Sequence, residues 1–409
     1  MTAPSQRFAR SHTSVLRDPS FLTALVIAVI VALGFGLVVP VLPLFAADFG
    51  VSVFAATFVV SAFAGVRLVS NLGAGQIADR IGARRAVGFG ALVVAFSSLL
   101  AAGSPGYWWL VVFRGVGGFG SALFFTALLS LVVRLVPADQ RGRAVGLLQG
   151  AFLFGLTVGP LVGGLLAEPL GLRWPFAIYA LFCGSAGVVA LVFLPPVPVD
   201  GAGAERHSLG QTWMAARELC RDQAFVAALV MMAATRWSAT GVRFSLIPLF
   251  GADVVGAGPG IIGLGLGIAA VSQLAVLWPV GKASDLYGRR AVGAPAYVVF
   301  AITAAALGLA TGVTAFLVVL ALYGAATGLT SVTPPAIVAD VVPAERTGVG
   351  VGVLNTAGDL GSVVGPLVSG FLVDRAGYGW GFGAAAAFLL VGAGFALRMR
   401  ETSPTVVTA

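Results

Sequence analysis

Twelve apolar runs, each near the length that crosses a hydrocarbon core, leave this chain few folds to choose from. They cover residues 21–45, 53–77, 86–104, 107–133, 143–167, 172–194, 223–250, 259–281, 291–310, 314–338, 347–373 and 378–397. From Phe21 to Ala47 there is no charged residue at all. A backbone in lipid must satisfy its own N–H and C=O groups, and a helix of about 20 residues does so while spanning the core. The expectation is an all-α polytopic membrane protein with twelve transmembrane helices. Composition agrees, since only 10% of the 409 residues are charged and 58% are hydrophobic, where soluble domains carry about 25% charged. The first run is too long for a signal-peptide core and lacks a convincing cleavage site, so it reads as a span.

The sparse charges orient the spans. With the N-terminus inside, the cytosolic segments hold Arg7, Arg10 and Arg17, then Arg80, Arg84 and Arg85, then Arg134, Arg141 and Arg143. They continue with Arg206, Arg217 and Arg221, then Lys282, Arg289 and Arg290, and finally Arg346, Arg398 and Arg400. The outer loops hold only Arg173 and Arg375. This bias is the positive-inside pattern, and it puts both termini in the cytosol of a bacterial-type inner or plasma membrane. Trp108, Trp109, Trp174 and Trp380 fall at the expected outer interfaces. A basic chain of this kind could suggest nucleic acid, but its basic residues form no single patch, and no nucleic-acid partner is expected.

The charges also repeat. GQIADRIGARR begins at Gly75 and GKASDLYGRR at Gly281, and Asp79 and Asp285 are 206 residues apart (285 − 79). The same offset relates VPADQRGRAVG at Val136 to VPAERTGVGVG at Val342, and GLTVGPLVGG at Gly155 to GSVVGPLVSG at Gly361. The chain therefore reads as two pseudo-symmetric six-helix halves in parallel repeat, residues 1–194 and 223–409, joined by a cytosolic linker over 195–222. The linker begins PPVPVD and turns amphipathic at SLGQTWMAARELCRD, as a helix lying on the membrane surface would.

Several chemistries have no residues to carry them. Cys183 and Cys220 do not have the spacing of a metal site or disulfide framework. His12 and His207 both fall outside the spans. The chain has a single lysine, Lys282, and no G-x-x-x-x-G-K-[ST], which argues against ATP hydrolysis. GVGGFG at Gly115 matches G-x-G-x-x-G, but it lies inside an apolar run with no preceding strand and reads as helix packing. No cofactor and no metal are expected, and no cluster of catalytic groups marks an enzyme.

GQIADRIGARR resembles the signature loop between helices 2 and 3 of the major facilitator superfamily. RGVGGFGSAL at Arg114 resembles its helix-4 motif. LGFGLVVPVLP at Leu33 and GLTVGPLVGG at Gly155 resemble the helix-1 and helix-5 motifs of its twelve-helix drug:proton antiporters. The resemblance covers nearly the whole chain. It implies the major facilitator fold, alternating access and, from the helix-5 motif, export.

Asp79 and Asp285 fall where even-numbered helices reach the cytosol, close to the positive dipole ends of the fifth and eleventh helices. Each could latch its own half to the other half's helix, in a unit made of Gly75, Asp79, Arg80, Gly82, Arg84 and Arg85 and its repeat Gly281, Asp285, Gly288, Arg289 and Arg290. The other reading is a tight glycine turn carrying topology charges. In the fifth run, Pro160 is expected to kink the helix, while Gly155, Gly159, Gly163 and Gly164 admit a neighbouring helix at short range. Ordinary packing is compatible with the same residues.

Charges inside the runs are costly in lipid and mark polar cavities. Asp359 is the only acid deep within a span, and it is the candidate proton carrier, with Asn355 and Ser362 on its face. Arg236, Thr240 and Arg243 form one stripe on the seventh helix, although Arg243 could instead snorkel. Arg67, Arg114, Gln149 and Gln273 complete the expected cavity lining, with Arg236 or Arg114 as the cation near Asp359. No acid occurs in the first run before Asp48, and Arg outnumbers Asp in the spans, which suits neutral or anionic amphipathic substrates. The expected activity is proton-coupled export of small amphipathic molecules by a monomer in the bilayer. An importer or a sugar or metabolite exporter of the same fold, or a non-transporting receptor or assembly factor, remains as an alternative.

Overall fold

The computed structural model describes residues 18–196 and 209–403; Arg7, Arg10, Arg17, Arg206 and both histidines lie outside them. Twelve helices long and apolar enough to cross a membrane follow one another, and no strand occurs among the described residues. They are α1 (Pro19–Val38, resuming as Leu42–Ala47), α2 (Val53–Ile81), α3 (Ala83–Ala102), α4 (Tyr107–Leu135), α5 (Arg141–Leu170) and α6 (Trp174–Phe193). The second six are α7 (Gln223–Asp253), α8 (Pro259–Tyr287), α9 (Arg289–Leu309), α10 (Val313–Val341), α11 (Ala344–Ala376) and α12 (Tyr378–Arg398).

The expected spans are therefore present, with three local departures. α1 is interrupted at Val39–Val41, around Pro40 and just ahead of Pro43, where missing N–H donors break the ladder. α10 breaks at Val332, just ahead of Pro334 and Pro335. α7 contains a π-helical segment, Ser238–Leu246, in which Ile247 N–H donates to the Val242 carbonyl. Apolar periodicity does not reveal that last feature.

Caps and stops follow from particular residues. The Asp18 carboxylate accepts the Ser20 and Phe21 N–H groups at 2.7 and 3.3 Å and starts α1. Asp222 does the same for Ala224 and Phe225 at 2.8 and 3.4 Å and starts α7. Among the described residues those at positive φ are all glycine: Gly50, Gly82, Gly171, Gly256, Gly288 and Gly377. They form three pairs, each 206 apart (256 − 50, 288 − 82, 377 − 171), so the repeat read from motifs is also a repeat of backbone turns.

α1–α6 and α7–α12 pack as two bundles that meet along α2 with α11 and α5 with α8. The end bearing Gly82 and Gly288, with most of the described arginines, is the basic face; Gly50, Gly171, Gly256 and Gly377 mark the opposite face. Near the opposite face the halves touch closely. A Cβ placed on Gly164 would lie 2.8 Å from Gly263 Cα of α8, and one on Gly370 would lie 3.0 Å from Phe54 Cα of α2. Toward the basic face, a Cβ on Gly142, Gly146 or Gly150 of α5, or on Gly348 or Gly352 of α11, would meet nothing within 4 Å. The halves thus part into a cleft that opens at the basic face. The linker helix, Leu209–Leu219, rests on the second half through Glu218 and Arg346 at 2.6 Å.

Candidate functional site

At the depth where the halves begin to separate, one cross-half polar cluster joins α2 to α11. Asp359 Oδ1 lies 3.5 Å from Arg67 Nη2, and Asn71 Nδ2 donates to Asp359 Oδ2 at 3.3 Å. Arg67 and Asn71 are four residues apart and so share a helix face. Their side chains reach the cleft: Arg67 is 34% exposed and Asp359 19%. One turn toward the opposite face, Ser61 Oγ donates to the Val363 carbonyl at 2.8 Å and closes the seam. Asn71 was not among the residues expected here, although its i+4 spacing from Arg67 was visible.

Arg236 joins the cluster from α7. A Cβ on Gly358 would lie 3.0 Å from Arg236 Cγ, so the arginine runs along α11 beside Asp359, with its surface exposed to the cleft. Two guanidinium groups therefore stand by one carboxylate, and the cleft has an excess of positive charge. Gln149 and Asn355, which are 206 apart (355 − 149), are both exposed, on α5 and α11 in the basic half of the bundle.

The other two expected cavity arginines are elsewhere. Arg114 is 1% exposed inside the first half, with its guanidinium 4.6 Å above the Phe63 ring. Its Nε and Nη1 have no hydrogen-bond partner among the described residues, so the ring face is its main electrostatic support. The cation beside Asp359 is thus Arg67, with Arg236 nearby, and not Arg114. Arg243 is 7% exposed and donates to Gln273 Oε1 at 2.8 Å and to the Leu266 carbonyl at 3.3 Å. It neither snorkels nor shares a stripe with Arg236. The π segment begins at Ser238 and contains Arg243, so the seven-residue step from Arg236 sweeps less rotation than it would in an α-helix and turns Arg243 into the second half.

Several loop residues at the basic face have partners in their own half. Asp79 meets Arg134 of α4 at 3.2 Å, and Asp285 meets Arg289 at 2.5 Å. Arg289 Nε also donates to Asp340 of α10 at 3.0 Å and its Nη1 to Ser284 Oγ at 3.1 Å. Arg84 Nη1 donates to the Leu194 carbonyl at 3.4 Å. Gly82 and Gly288, at positive φ, make the two turns, whereas Gly75 and Gly281 lie inside α2 and α8; Arg80, Arg85 and Arg290 flank the turns, and Arg290 N–H donates to Glu401 at 3.1 Å.

The helix-5 glycines divide their work. A Cβ on Gly155 would lie 2.5 Å from Leu33 N, one on Gly159 2.5 Å from Gly36 Cα, and one on Gly163 2.7 Å from Leu37 Cα, all on α1. Gly164 alone faces α8 of the other half. α5 continues through Pro160 as one helix. The second copy repeats the division, with Gly361 and Gly365 against α7 and Gly370 against α2. Ser369 stands where the first copy has Gly163, and its Oγ accepts the Trp237 indole N–H at 3.0 Å, so the departure from the repeat supplies a partner for a buried donor.

The model of the Major Facilitator Superfamily matches residues 24–261 and 235–408, which together take in nearly the whole chain. Among curated relatives, the MFS-type transporter astH of Aspergillus oryzae is 28% identical over 145 residues, 35% of this chain and 25% of that protein. The quinolone resistance protein NorA of Staphylococcus aureus is 23% identical over 163 residues, 40% of this chain and 41% of that protein. The chain thus spans less than half the length of these curated relatives. Two solved structures share the fold over nearly their full length. A bacterial homolog of the human lysosomal transporter Spinster, inward-facing and occupied, has a TM-score of 0.76 at 14% identity, covering 94% of this chain and 97% of that one. The nucleoside transporter NupG has a TM-score of 0.72 at 15% identity, covering 92% and 97%. Twelve membrane helices in two repeated halves, a charged cluster at their seam and a family match along both halves lead to one assignment: the chain belongs to the major facilitator superfamily of membrane transporters.

Proposed function

We propose that the protein is a proton-coupled exporter of small amphipathic molecules, neutral or anionic, that works as a monomer by rocking its two halves. The basic face lies in the cytosol of a bacterial-type cell membrane, by the charge bias of its loops. The observation that carries the reading is the Arg67–Asn71–Asp359 cluster, which ties the halves together at the floor of a cleft. A proton on Asp359 would dissolve its ion pair with Arg67, so protonation and separation of the halves are coupled at one residue. Arg67 and Arg236 bias the cleft toward substrates without positive charge. The partial similarity to a protein named for quinolone resistance supports efflux as the direction. The Asp79 and Asp285 loops would grip the opposite half when the cytosolic side closes.

Asp359→Asn preserves shape and hydrogen bonding but cannot carry a proton. In liposomes with an imposed pH gradient the variant should bind substrate within about threefold of the parent, a change of under 1 kcal/mol, and fail to accumulate it uphill. Uphill transport at the parent's rate would sink the proposed coupling.

A further inference from the structure

The two halves meet at the opposite face in a way that the basic-face loops do not explain. Asp374, near the end of α11, reaches across to α2 and accepts the Val53 N–H at 3.0 Å and the Phe54 N–H at 3.1 Å. Ser52 Oγ accepts the Ala55 N–H of the same turn at 3.4 Å. Three of the orphan donors at the start of α2 are thus satisfied, two of them by the other half of the molecule. The carboxylate also meets the positive end of the helix dipole.

The repeat supplies a second copy. Glu168 is 206 residues before Asp374 (374 − 168), and Pro259 and Gly260 are 206 after Val53 and Phe54. Glu168 lies against the first turn of α8: a Cβ on Gly258 would be 3.4 Å from Glu168 Oε1, and one on Gly260 would collide with Oε2. The two copies are unequal. Pro259 has no N–H where Val53 offers one, so the Glu168 contact relies more on the helix dipole and less on hydrogen bonds.

We propose that Asp374 and Glu168 are a pair of external latches: each carboxylate holds the exterior closed by gripping the N-terminus of a helix in the other half, and both must let go before the cleft opens outward. They sit at the opposite end of the molecule from Asp79 and Asp285 and follow the same geometric rule. The inference rests on the rocking of halves proposed above. Asp374 is the stronger latch.

Spin labels report each end separately. Gly106 and Gly312, 206 apart (312 − 106), start α4 and α10 at the opposite face, and Gly142 and Gly348 lie at the basic face; added side chains there meet nothing within 4 Å. Distances across each pair are measured in lipid nanodiscs with Cys220→Ser removing the exposed native thiol. Asp374→Asn should raise the ratio of external-open to external-closed forms about tenfold, a modest figure for two charge-assisted bonds because Asp374 is exposed. Glu168→Gln should raise it less, and the double variant more than either. Gly260→Ala keeps every charge but displaces the Glu168 carboxylate, and should match Glu168→Gln. If the parent exchanges between two distance populations and none of these variants shifts them, the latches are refuted while rocking stands. If neither pair shows two populations in any protein, rocking itself is refuted and the latches with it.

Discussion

Gly163 and Gly164 are neighbours in one motif, yet alanine should do different harm at each. At Gly163 the added methyl would lie 2.7 Å from Leu37 Cα and 2.8 Å from its carbonyl carbon. Comfortable carbon contacts are about 3.5–4.0 Å, so α1 must retreat by roughly 1 Å, and no rotamer change can relieve a clash with backbone. Overpacking of this kind costs about 1–3 kcal/mol. Both helices belong to the first half, so the penalty is present in every state of the transport cycle and is a loss of stability. At Gly164 the methyl would lie 2.8 Å from Gly263 Cα and 3.0 Å from Gly263 N, on α8 of the other half. In the proposed rocking of the halves, that contact exists only while the opposite face is closed. A similar penalty of about 1–3 kcal/mol then falls on one conformation, and shifts the balance toward the other by about 5–150-fold. Thermal unfolding in detergent and the Gly106/Gly312 spin-label distance separate the two effects. Gly163→Ala should lower the melting temperature and leave the distance populations alone; Gly164→Ala should do the reverse. Equal loss of stability in both variants with no change in distance would refute this division.

Three further outcomes are expected. Asp79→Asn and Asp285→Asn should bias exchange toward the form with an open basic face and slow transport, with substrate affinity unchanged; unaltered transport together with unaltered Gly142/Gly348 distances would refute the latch at that face. Arg236→Ala should weaken binding of anionic substrates about tenfold and of neutral ones little, because one charge in a partly dry cleft is lost; equal affinities for both classes in parent and variant, measured by fluorescence or calorimetric titration, would make Arg236 structural. Glu401 is partly buried, which alone would raise its pKa, but the N–H groups of Ser403, Arg289, Arg290 and Thr402 outweigh this and hold the carboxyl below its usual value. A depressed folded pKa stabilises above the unfolded value of about 4.3 and is lost as pH falls through the folded one. Glu401→Gln should therefore melt lower than the parent at pH 7, and the gap should narrow below about pH 4; a gap independent of pH would show that only side-chain shape matters.

Much of the architecture was legible because lipid enforces it. Run length, loop charge and the 206-residue offset each respond to a constraint that leaves a mark in sequence, and all twelve spans follow from them. The site was legible only in part. Asp359 and Arg67 could be singled out as costly charges, but not as partners, because nothing local relates residues 67 and 359. Arg114 and Arg243 carry the same sequence signal as Arg67 and Arg236, yet they are buried within single halves, one over an aromatic ring and one against Gln273. A charge in a span marks a polar environment without saying whether that environment is a cavity or a core. Glu168 and Asp374 drew no notice as helix-end acids, since their meaning depends on which helix start lies opposite.

The π segment of α7 coincides with a difference in length between the halves that can be counted. From the capping Asp18 to Pro43 of LPLFAAD is 25 residues (43 − 18); from the capping Asp222 to Pro248 of the matching IPLFGAD is 26 (248 − 222). The second half thus holds one residue more than the first between two fixed points, and the wide turn at Ser238–Leu246 lies inside that interval. A π-helical turn holds more residues than an α-helical one, so the wide turn takes up that extra residue within the helix. The one-residue difference in length therefore falls in the stretch that carries the buried Arg243, while Arg236 lies in regular α-helix just before it.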